Sequence, residues 1–200
     1  LLSVRRALEA CAADVMQTNN PAEIEMADYL VLPGVGAFGD GMRELQSRQL
    51  VEPIRAACAS GKPLLGICLG MQLLFTESEE FGLHKGLDLL AGRVVAIPNE
   101  VPGGVRRKTP HIGWNELRPS PDRGSWRGTL FAGMSEGSAA YFVHSYAVVP
   151  EDSSVRLADC DHEGFAISAA VQQRQIYGCQ FHPEKSGEVG LSIITNFLSV

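Results

Sequence analysis

The sequence lacks the features of membrane, secreted and nucleic-acid-binding proteins. No apolar run approaches the roughly 18 residues that a membrane-spanning helix needs, and no signal-peptide pattern stands at the N-terminus. Lysine and arginine number 17 against 23 aspartate and glutamate residues, so the net charge is −6, and the basic residues are scattered. We therefore expect a cytoplasmic protein that has neither a membrane nor a nucleic acid as its partner.

Cysteine is also scarce, and its pattern excludes two classes of protein. A disulfide framework or a zinc site would need paired or clustered cysteines, and the sequence has an odd number without any C-x-x-C pair. The five are Cys11, Cys58, Cys68, Cys160 and Cys179. This pattern predicts a reducing, cytosolic compartment and no zinc site. We expect no metal and no other cofactor.

Length and composition predict a single domain over residues 1–200. The apolar content of 45% is enough for one full core, and no repeat, linker or low-complexity tract divides the chain. The chain opens with Leu2, Val4 and Leu8 at helical spacing, without a capping signal before them. Because a domain of alternating strands and helices usually begins with a strand, we expect the first strand to be missing from the sequence as given.

The first half alternates strands and helices. Residues 28–33 read as a short buried strand, a helix follows over about 41–60 with a break at Pro53, and residues 63–68 form a second buried strand. This order predicts a parallel sheet with right-handed crossovers. From about residue 82 to 183, short alternating runs at 92–97, 141–149 and 165–171 predict antiparallel strands that extend or cover this sheet.

Two loops and a last helix complete the predicted elements. Residues 99–109 and 122–128 are rich in glycine, proline and charge and read as surface loops, apart from Trp126. The chain closes with a helical apolar pattern over residues 188–198.

Cys68 lies where the second strand gives way to helical spacing, as in a nucleophile elbow. Gly66 and Gly70 flank it, and the start of a helix supplies free N–H groups that favour a thiolate. The alternative is a buried structural cysteine between two packing glycines.

His182 and Glu184 supply the other parts of an activated nucleophile. If residues 176–182 form a strand, these two side chains project to the same side while Pro183 turns away. A histidine beside a thiol can move its proton, and a carboxylate can hold that histidine in one tautomer. Taken singly, His182 also fits a packed histidine and Glu184 a solvated charge.

The other histidines carry less information. His84 and His162 read as surface loop residues, whereas His111 and His144 either line a site or are packed. No spacing among them requires a metal. The glycines at 34 and 36 permit a close approach to main-chain N–H groups, although a plain tight turn explains a Gly-x-Gly taken alone better.

Several motifs together resemble the class I (triad) glutamine amidotransferases. They are most similar to the branch that supplies glutaminase subunits to imidazole glycerol phosphate synthase in histidine biosynthesis, and the match covers nearly the whole chain. The motifs are Gly66-Ile-Cys-Leu-Gly-Met-Gln72, Pro33-Gly-Val-Gly-Ala-Phe-Gly39, His111-Ile-Gly-Trp-Asn-Glu116, Tyr141-Phe-Val-His-Ser-Tyr146 and His182-Pro-Glu-Lys-Ser-Gly187.

The resemblance implies a flavodoxin-like α/β fold, with a mostly parallel central sheet, helices on both faces and added antiparallel strands. It implies that Cys68 attacks the glutamine amide, with His182 as base and then acid and Glu184 orienting it. An oxyanion hole would comprise Leu69 and the strand at Val35 and Gly36. The residues implied to hold the glutamine amino and carboxylate groups are Gly34, Gly36, Gln72, His144, Ser145 and Tyr146.

The resemblance also implies a protein partner. Ammonia from this hydrolase would pass to a (βα)₈-barrel cyclase subunit in a heterodimeric lyase, and Trp114, Tyr141 and Lys185 match positions that face it. From the residues alone, the two aromatic side chains equally fit core packing and the lysine fits an ordinary surface charge.

The sequence departs from the family at its start, where a strand and an Asp-Tyr-Gly-x-Gly-Asn type of loop are expected and missing. Two other functions stay open: an amidotransferase that feeds ammonia to an ATP-using synthetase, and a non-catalytic regulatory module of the same fold.

Overall fold

The computed structural model describes residues 1–99 and 107–200. Its α-helices are α1 (Leu2–Ala10), α2 (Pro21–Met26), α3 (Phe38–Ser47), α4 (Val51–Ala59), α5 (Leu69–Leu73) and α6 (Gly187–Phe197). Within the described ranges no helix is long and apolar enough to cross a membrane.

The strands within residues 1–99 and 107–200 form three sheets, of six, four and two strands. The first six strands are β1 (Leu30–Gly34), β2 (Leu64–Cys68), β3 (Phe75–Ser78), β4 (His84–Lys85), β5 (Leu90–Ala96) and β6 (His111–Glu116). The others are β7 (Arg118–Pro119), β8 (Ala139–His144), β9 (Tyr146–Pro150), β10 (Arg156–His162), β11 (Phe165–Gln173) and β12 (Ile176–Cys179).

The six-stranded sheet has the order β1-β2-β12-β11-β10-β7. Pairing is parallel between β1, β2 and β12 and antiparallel from β12 to β7, so the sheet is mixed. The register places Gly34 opposite Cys68 and Cys179 opposite Ile67. The carboxyl ends of the three parallel strands therefore meet at one edge, which is where open α/β sheets bind ligands.

Helices cover both faces of this sheet, as predicted. Val4 and Leu8 of α1 pack in one hydrophobic cluster with Phe197 of α6, whereas Met42 of α3 and Ile54 of α4 lie in a second cluster. Strand β2 is buried along its whole length and contributes to both clusters. Burial on both faces explains its unbroken apolar sequence.

The helix predicted over residues 41–60 is in fact two helices, and the predicted break is misplaced. Helix α3 ends at Ser47, Gln49 takes a left-handed φ of 57°, and α4 begins at Val51. Pro53 lies in the first turn of α4, where the missing N–H of proline leaves no intrahelical hydrogen bond unmade.

The run 141–149, predicted as one strand, is divided at Ser145. Strand β8 pairs with β6, whereas β9 pairs with β5 in the four-stranded sheet. The Ser145 carbonyl accepts a hydrogen bond from the Ile97 N–H at 2.9 Å. The chain thus changes sheets at the segment 144–146.

Residues 99–109 are predicted to form a surface loop, of which residues 100–106 lie outside the described residues. Arg107 is buried, contrary to that prediction. Its guanidinium donates to the carbonyl groups of Pro98, His162 and Glu163 and lies 5.1 Å from the centre of the Phe165 ring. Segment 122–128 is exposed apart from Trp126, as predicted.

Candidate active site

Cys68 occupies a sharp turn between the end of β2 and the start of α5. Its φ of 54° and ψ of −112° are unusual for a residue with a side chain. The predicted change from strand to helix at this residue is confirmed. The Sγ atom lies 3.9 Å from the Val143 carbonyl oxygen and 3.8 Å from Gln180 Nε2. Such elbows present a nucleophile at the edge of a sheet.

Gly66 and Gly70 make the elbow possible by close packing. A Cβ atom on Gly66 would lie 2.7 Å from the Gly70 carbonyl oxygen, and one on Gly70 would lie 1.7 Å from the Leu32 carbonyl oxygen. The two glycines thus let α5 fold back onto β2 and β1. The sequence suggests that these glycines keep bulk away from the cysteine. In the structure they also allow close backbone contact between α5, β1 and β2.

His182 and Glu184 are adjacent but do not share a strand, so the predicted strand over 176–182 is wrong at its end. Strand β12 stops at Cys179, and residues Pro183–Lys185 form one 3₁₀ turn. The Ser186 hydroxyl donates to the His182 carbonyl at 2.7 Å and holds this turn. His182 Nδ1 lies 2.8 Å from Glu184 Oε1, and both side chains are buried.

The electrostatics favour a protonated His182. Burial lowers the pKa of this histidine, but hydrogen bonding and negative charge at Cys68 and Glu184 outweigh burial and raise the pKa to about 9. His182 Nε2 is buried and makes no well-aligned hydrogen bond within the described part of the chain. Nδ1 is occupied by Glu184, so Nε2 is the atom that can exchange a proton with a group at Cys68.

Gln72 and Gln180 form a buried amide pair beside the cysteine. Gln72 Nε2 donates to the Tyr146 carbonyl at 3.1 Å and to Gln180 Oε1 at 3.0 Å. Gln72 is among the site residues predicted from the sequence, whereas Gln180 is not. The available signal was a lone amide in the apolar run 176–181, because a buried amide requires partners.

His144 and His111 form a second buried pair behind the segment 144–146. His144 Nδ1 donates to the Tyr146 carbonyl at 2.8 Å, and His111 Nδ1 lies 2.9 Å from His144 Nε2. Burial lowers the pKa of His144 to about 3, although its bond to Tyr146 acts the other way. Burial, with a smaller effect of His162, lowers the pKa of His111 to about 4. Both are packed, neutral histidines.

The two histidines predicted as surface loop residues have defined contacts. His162 ends β10, stacks on His111 with ring centres 4.2 Å apart, and bonds the Lys108 carbonyl. His84 begins β4 and packs on Gly39, where an added Cβ would lie 2.9 Å from its ring. Among residues 1–99 and 107–200, no three or more metal-binding side chains converge.

The glycine segment after β1 lies against the start of α5. A Cβ on Gly34 would lie 3.1 Å from the Leu69 Cβ, while Val35 is 80% exposed and Gly36 has a left-handed φ of 101°. Glu80 Oε2 accepts from the Phe38 N–H at 2.6 Å and fixes the end of the segment. The structure thus brings Gly34 and Leu69 together beside Cys68. Glu80 is a contact that the sequence did not indicate.

Trp114, Tyr141 and Lys185 form one group at the surface, in which Trp114 and Lys185 are exposed and Tyr141 is half-buried. Trp114 stands opposite Tyr141 in the β6–β8 register, with ring centres 6.2 Å apart, and is 60% exposed. Lys185 Nζ lies 5.8 Å from the Tyr141 ring centre. The Tyr141 carbonyl also accepts the His182 N–H at 2.9 Å. Trp114 is therefore not a core residue. The hydrogen bond from the His182 N–H to the Tyr141 carbonyl places the three residues next to His182.

The chain is similar to known proteins along its whole length. The sequence model of the family described as glutamine amidotransferase class-I matches residues 2–200. The imidazole glycerol phosphate synthase subunit HisH 1 of Legionella pneumophila (strain Paris) is 52% identical over 200 residues, which are 100% of this chain and 94% of that protein. The HisH subunit of Geobacillus kaustophilus is 47% identical over 203 residues, which cover 100% of this chain and 92% of the relative.

Solved structures show the same fold. A crystal structure of a glutamine amidotransferase has a TM-score of 0.66 at 16% identity and covers 95% of this chain and 88% of its own. The acivicin-bound glutaminase domain of Trypanosoma brucei CTPS has a TM-score of 0.64 at 16% identity, with 99% and 88% covered. The mixed sheet described above is thus the flavodoxin-like α/β fold that the sequence predicts.

Proposed function

The chain belongs to the class-I glutamine amidotransferase family, and on that premise we propose that it is the glutaminase subunit of an imidazole glycerol phosphate synthase. The identity to HisH subunits supports this assignment. The observation that carries the chemistry is Cys68 on a strained elbow beside a histidine whose other nitrogen is held by Glu184 at 2.8 Å.

The proposed reaction begins when His182 Nε2 takes the proton of the Cys68 thiol and the sulfur attacks the side-chain amide carbon of glutamine. His182 Nε2 gives its proton to the departing nitrogen, the C–N bond breaks, and ammonia leaves a glutamyl thioester. Water then attacks the thioester and gives a proton to Nε2. The C–S bond breaks, and glutamate and the free cysteine are regenerated. Glu184 holds the imidazole in one orientation throughout.

We assign the oxyanion hole to the Leu69 N–H and to a backbone N–H of the segment at Val35 and Gly36. The contact of Gly34 with Leu69 supports this pairing, because it brings the two backbone segments to the same side of Cys68. Each such donor typically stabilises the transition state by about 3 kcal/mol.

We assign recognition of the glutamine amino and carboxylate groups to the backbone of residues 144–146 and to Gly34, Gly36 and Gln72. Both Nε2 hydrogens of Gln72 are used by Tyr146 and Gln180. Its Oε1 makes no hydrogen bond to any described residue and is therefore free to accept one from an ammonium group.

We further propose a (βα)₈-barrel cyclase as partner, docked on Trp114, Tyr141 and Lys185. Aromatic side chains are enriched at protein interfaces, and Trp114 is 60% exposed beside the half-buried Tyr141. Residues 1–200 would act as one domain, in agreement with the span of the family match. The five cysteines are unpaired, which suits a cytoplasmic location.

Co-purification with a candidate cyclase, followed by a glutaminase assay with and without the nucleotide substrate of the cyclase, tests this function. Cys68→Ala should abolish glutamine-dependent synthesis and leave synthesis from added ammonia intact. Loss of both activities would contradict the division of labour. Capture of an ATP-using synthetase would favour a different amidotransferase. If a glutamine-like electrophile left Cys68 unmodified in the complex, that result would favour a non-catalytic module.

A further inference from the structure

Gln180 is a fully buried amide that lies between Gln72 and the nucleophile. Its Oε1 accepts from Gln72 Nε2 at 3.0 Å, and its Nε2 lies 3.8 Å from Cys68 Sγ. A buried amide is held by its partners, so these two contacts fix the orientation of the Gln180 side chain.

The hydrogen bonds that connect Tyr146, Gln72, Gln180 and Cys68 form a series. The Tyr146 carbonyl, at one end of it, fixes the direction of each bond. The Tyr146 carbonyl can only accept, so Gln72 must turn its NH₂ group toward it. The second hydrogen of that NH₂ group reaches Gln180, which must present Oε1 there. Gln180 consequently has its own NH₂ group on the side of Cys68.

Besides His182, two groups lie against the Cys68 sulfur, and they suit its two protonation states. A thiol can donate to the Val143 carbonyl oxygen at 3.9 Å, but a thiolate loses that bond and faces the negative end of the carbonyl dipole. The Gln180 N–H, on a different element, gains strength when the sulfur is negative, because hydrogen bonds to a charged acceptor are stronger than neutral ones.

We propose that Gln180 is a further catalytic residue, which stabilises the Cys68 thiolate through its Nε2–H. This inference rests on the proposed function only in taking Cys68 as the nucleophile. The same side chain holds Gln72, so one buried amide connects the nucleophile with the segment at Tyr146.

The test is the pH dependence of Cys68 alkylation by iodoacetamide in the full chain, followed by peptide mass spectrometry. In Gln180→Met the midpoint of the rate profile should move to higher pH, and the rate at pH 7 should fall about tenfold. Gln180→Glu keeps the size of the side chain and an acceptor for Gln72, but it brings a negative charge to the sulfur. It should move the midpoint further in the same direction.

Ser168→Ala is the matched control, because Ser168 is a buried polar residue on β11 whose hydroxyl has no described partner. Its profile should coincide with that of the wild type. Thermal unfolding identifies any variant that fails to fold. If Gln180→Met does not fold, the pH profile of Gln180→Glu tests the proposal. Unchanged profiles in both Gln180 variants would overturn the proposal. The assay needs no glutamine turnover, so it can fail or succeed independently of the proposed function.

Discussion

Gly70 lies so close to β1 that a Cβ atom on it would be 1.7 Å from the Leu32 carbonyl oxygen. The Leu32 oxygen is a backbone atom, and the position of a Cβ is fixed by the backbone. The clash therefore cannot be relieved without moving α5 or β1. Gly70→Ala should therefore lower the free energy of unfolding by about 3 kcal/mol or more. Urea denaturation measures this change.

Gly41→Ala is the control for this prediction. Gly41 is also a helical glycine, but a Cβ there would meet only the ends of the Leu69 and Leu73 side chains, at 3.2 to 3.4 Å. Alanine also favours the helix by about 1 kcal/mol over glycine. Equal loss of stability in the two variants would show that the contact with Leu32 does not cause the loss in Gly70→Ala.

Cys68→Ala should lower the pKa of His182 from its value of about 9, because Cys68 is one of the two groups that raise it against burial. The folded-state pKa lies above the ordinary value of 6.5. Protonated His182 therefore stabilises the fold below pH 6.5, and this contribution disappears as the pH rises through about 9. An NMR titration of the His182 imidazole measures the shift.

Cys58→Ala, a change on α4, should leave that titration unchanged. Glu184→Gln should also lower the His182 pKa, since it removes the other group that raises it. A value still near 9 in Cys68→Ala would mean that Glu184 alone sustains the charge on His182.

The elbow at Cys68 could be predicted because strand β2 is buried on both faces and the apolar spacing changes directly after it. Alternation predicted that His182 and Glu184 project to the same side, and they are in contact, but the backbone between them is not a strand. The strand ends at Cys179, and a turn held by the Ser186 hydroxyl brings the two side chains together instead. The local pattern thus correctly predicted that the two side chains lie together, but it did so through a strand that ends before them.

Tertiary contacts account for the other errors. Gln49, with a left-handed φ of 57°, ends a helical segment although no glycine marks the place. Arg107 is buried because three carbonyl groups surround its guanidinium, and a charge count predicts the opposite. Gln180 was not predicted because its partners, Cys68 at the end of β2 and Gln72 on α5, are more than 100 residues away, and sequence spacing does not reveal contacts between distant segments.

Lys185→Met should weaken co-purification with the cyclase and change the stability of the isolated chain by less than about 1 kcal/mol. The cation lies 5.8 Å from the Tyr141 ring, and exposed contacts of this kind are worth about 0.5–1 kcal/mol. Lys85→Met, which removes another exposed lysine that pairs with Glu77, is the control and should bind normally. A large loss of stability with normal binding would instead assign Lys185 a purely structural role.

The paired histidines behind Tyr146 should make the protein sensitive to acid. His144 and His111 have pKa values of about 3 and about 4 in the folded chain, against 6.5 for a free histidine. Below pH 6.5 the unfolded chain therefore binds protons that the folded chain does not. The free energy of unfolding falls by up to about 1.4 kcal/mol per pH unit for each such group, until the pH reaches the folded-state pKa.

His111→Gln removes one of these titrating groups and keeps an amide that can donate to His144 Nε2. Its stability should be lower than that of the wild type at pH 7, because packing on Phe142 is lost, but it should fall less steeply between pH 6.5 and 4.5. Urea denaturation at several pH values gives both slopes, and Ser168→Ala should follow the wild-type slope. If His111→Gln had the same slope as the wild type, the acid sensitivity would have to originate in carboxylates rather than in the histidine pair.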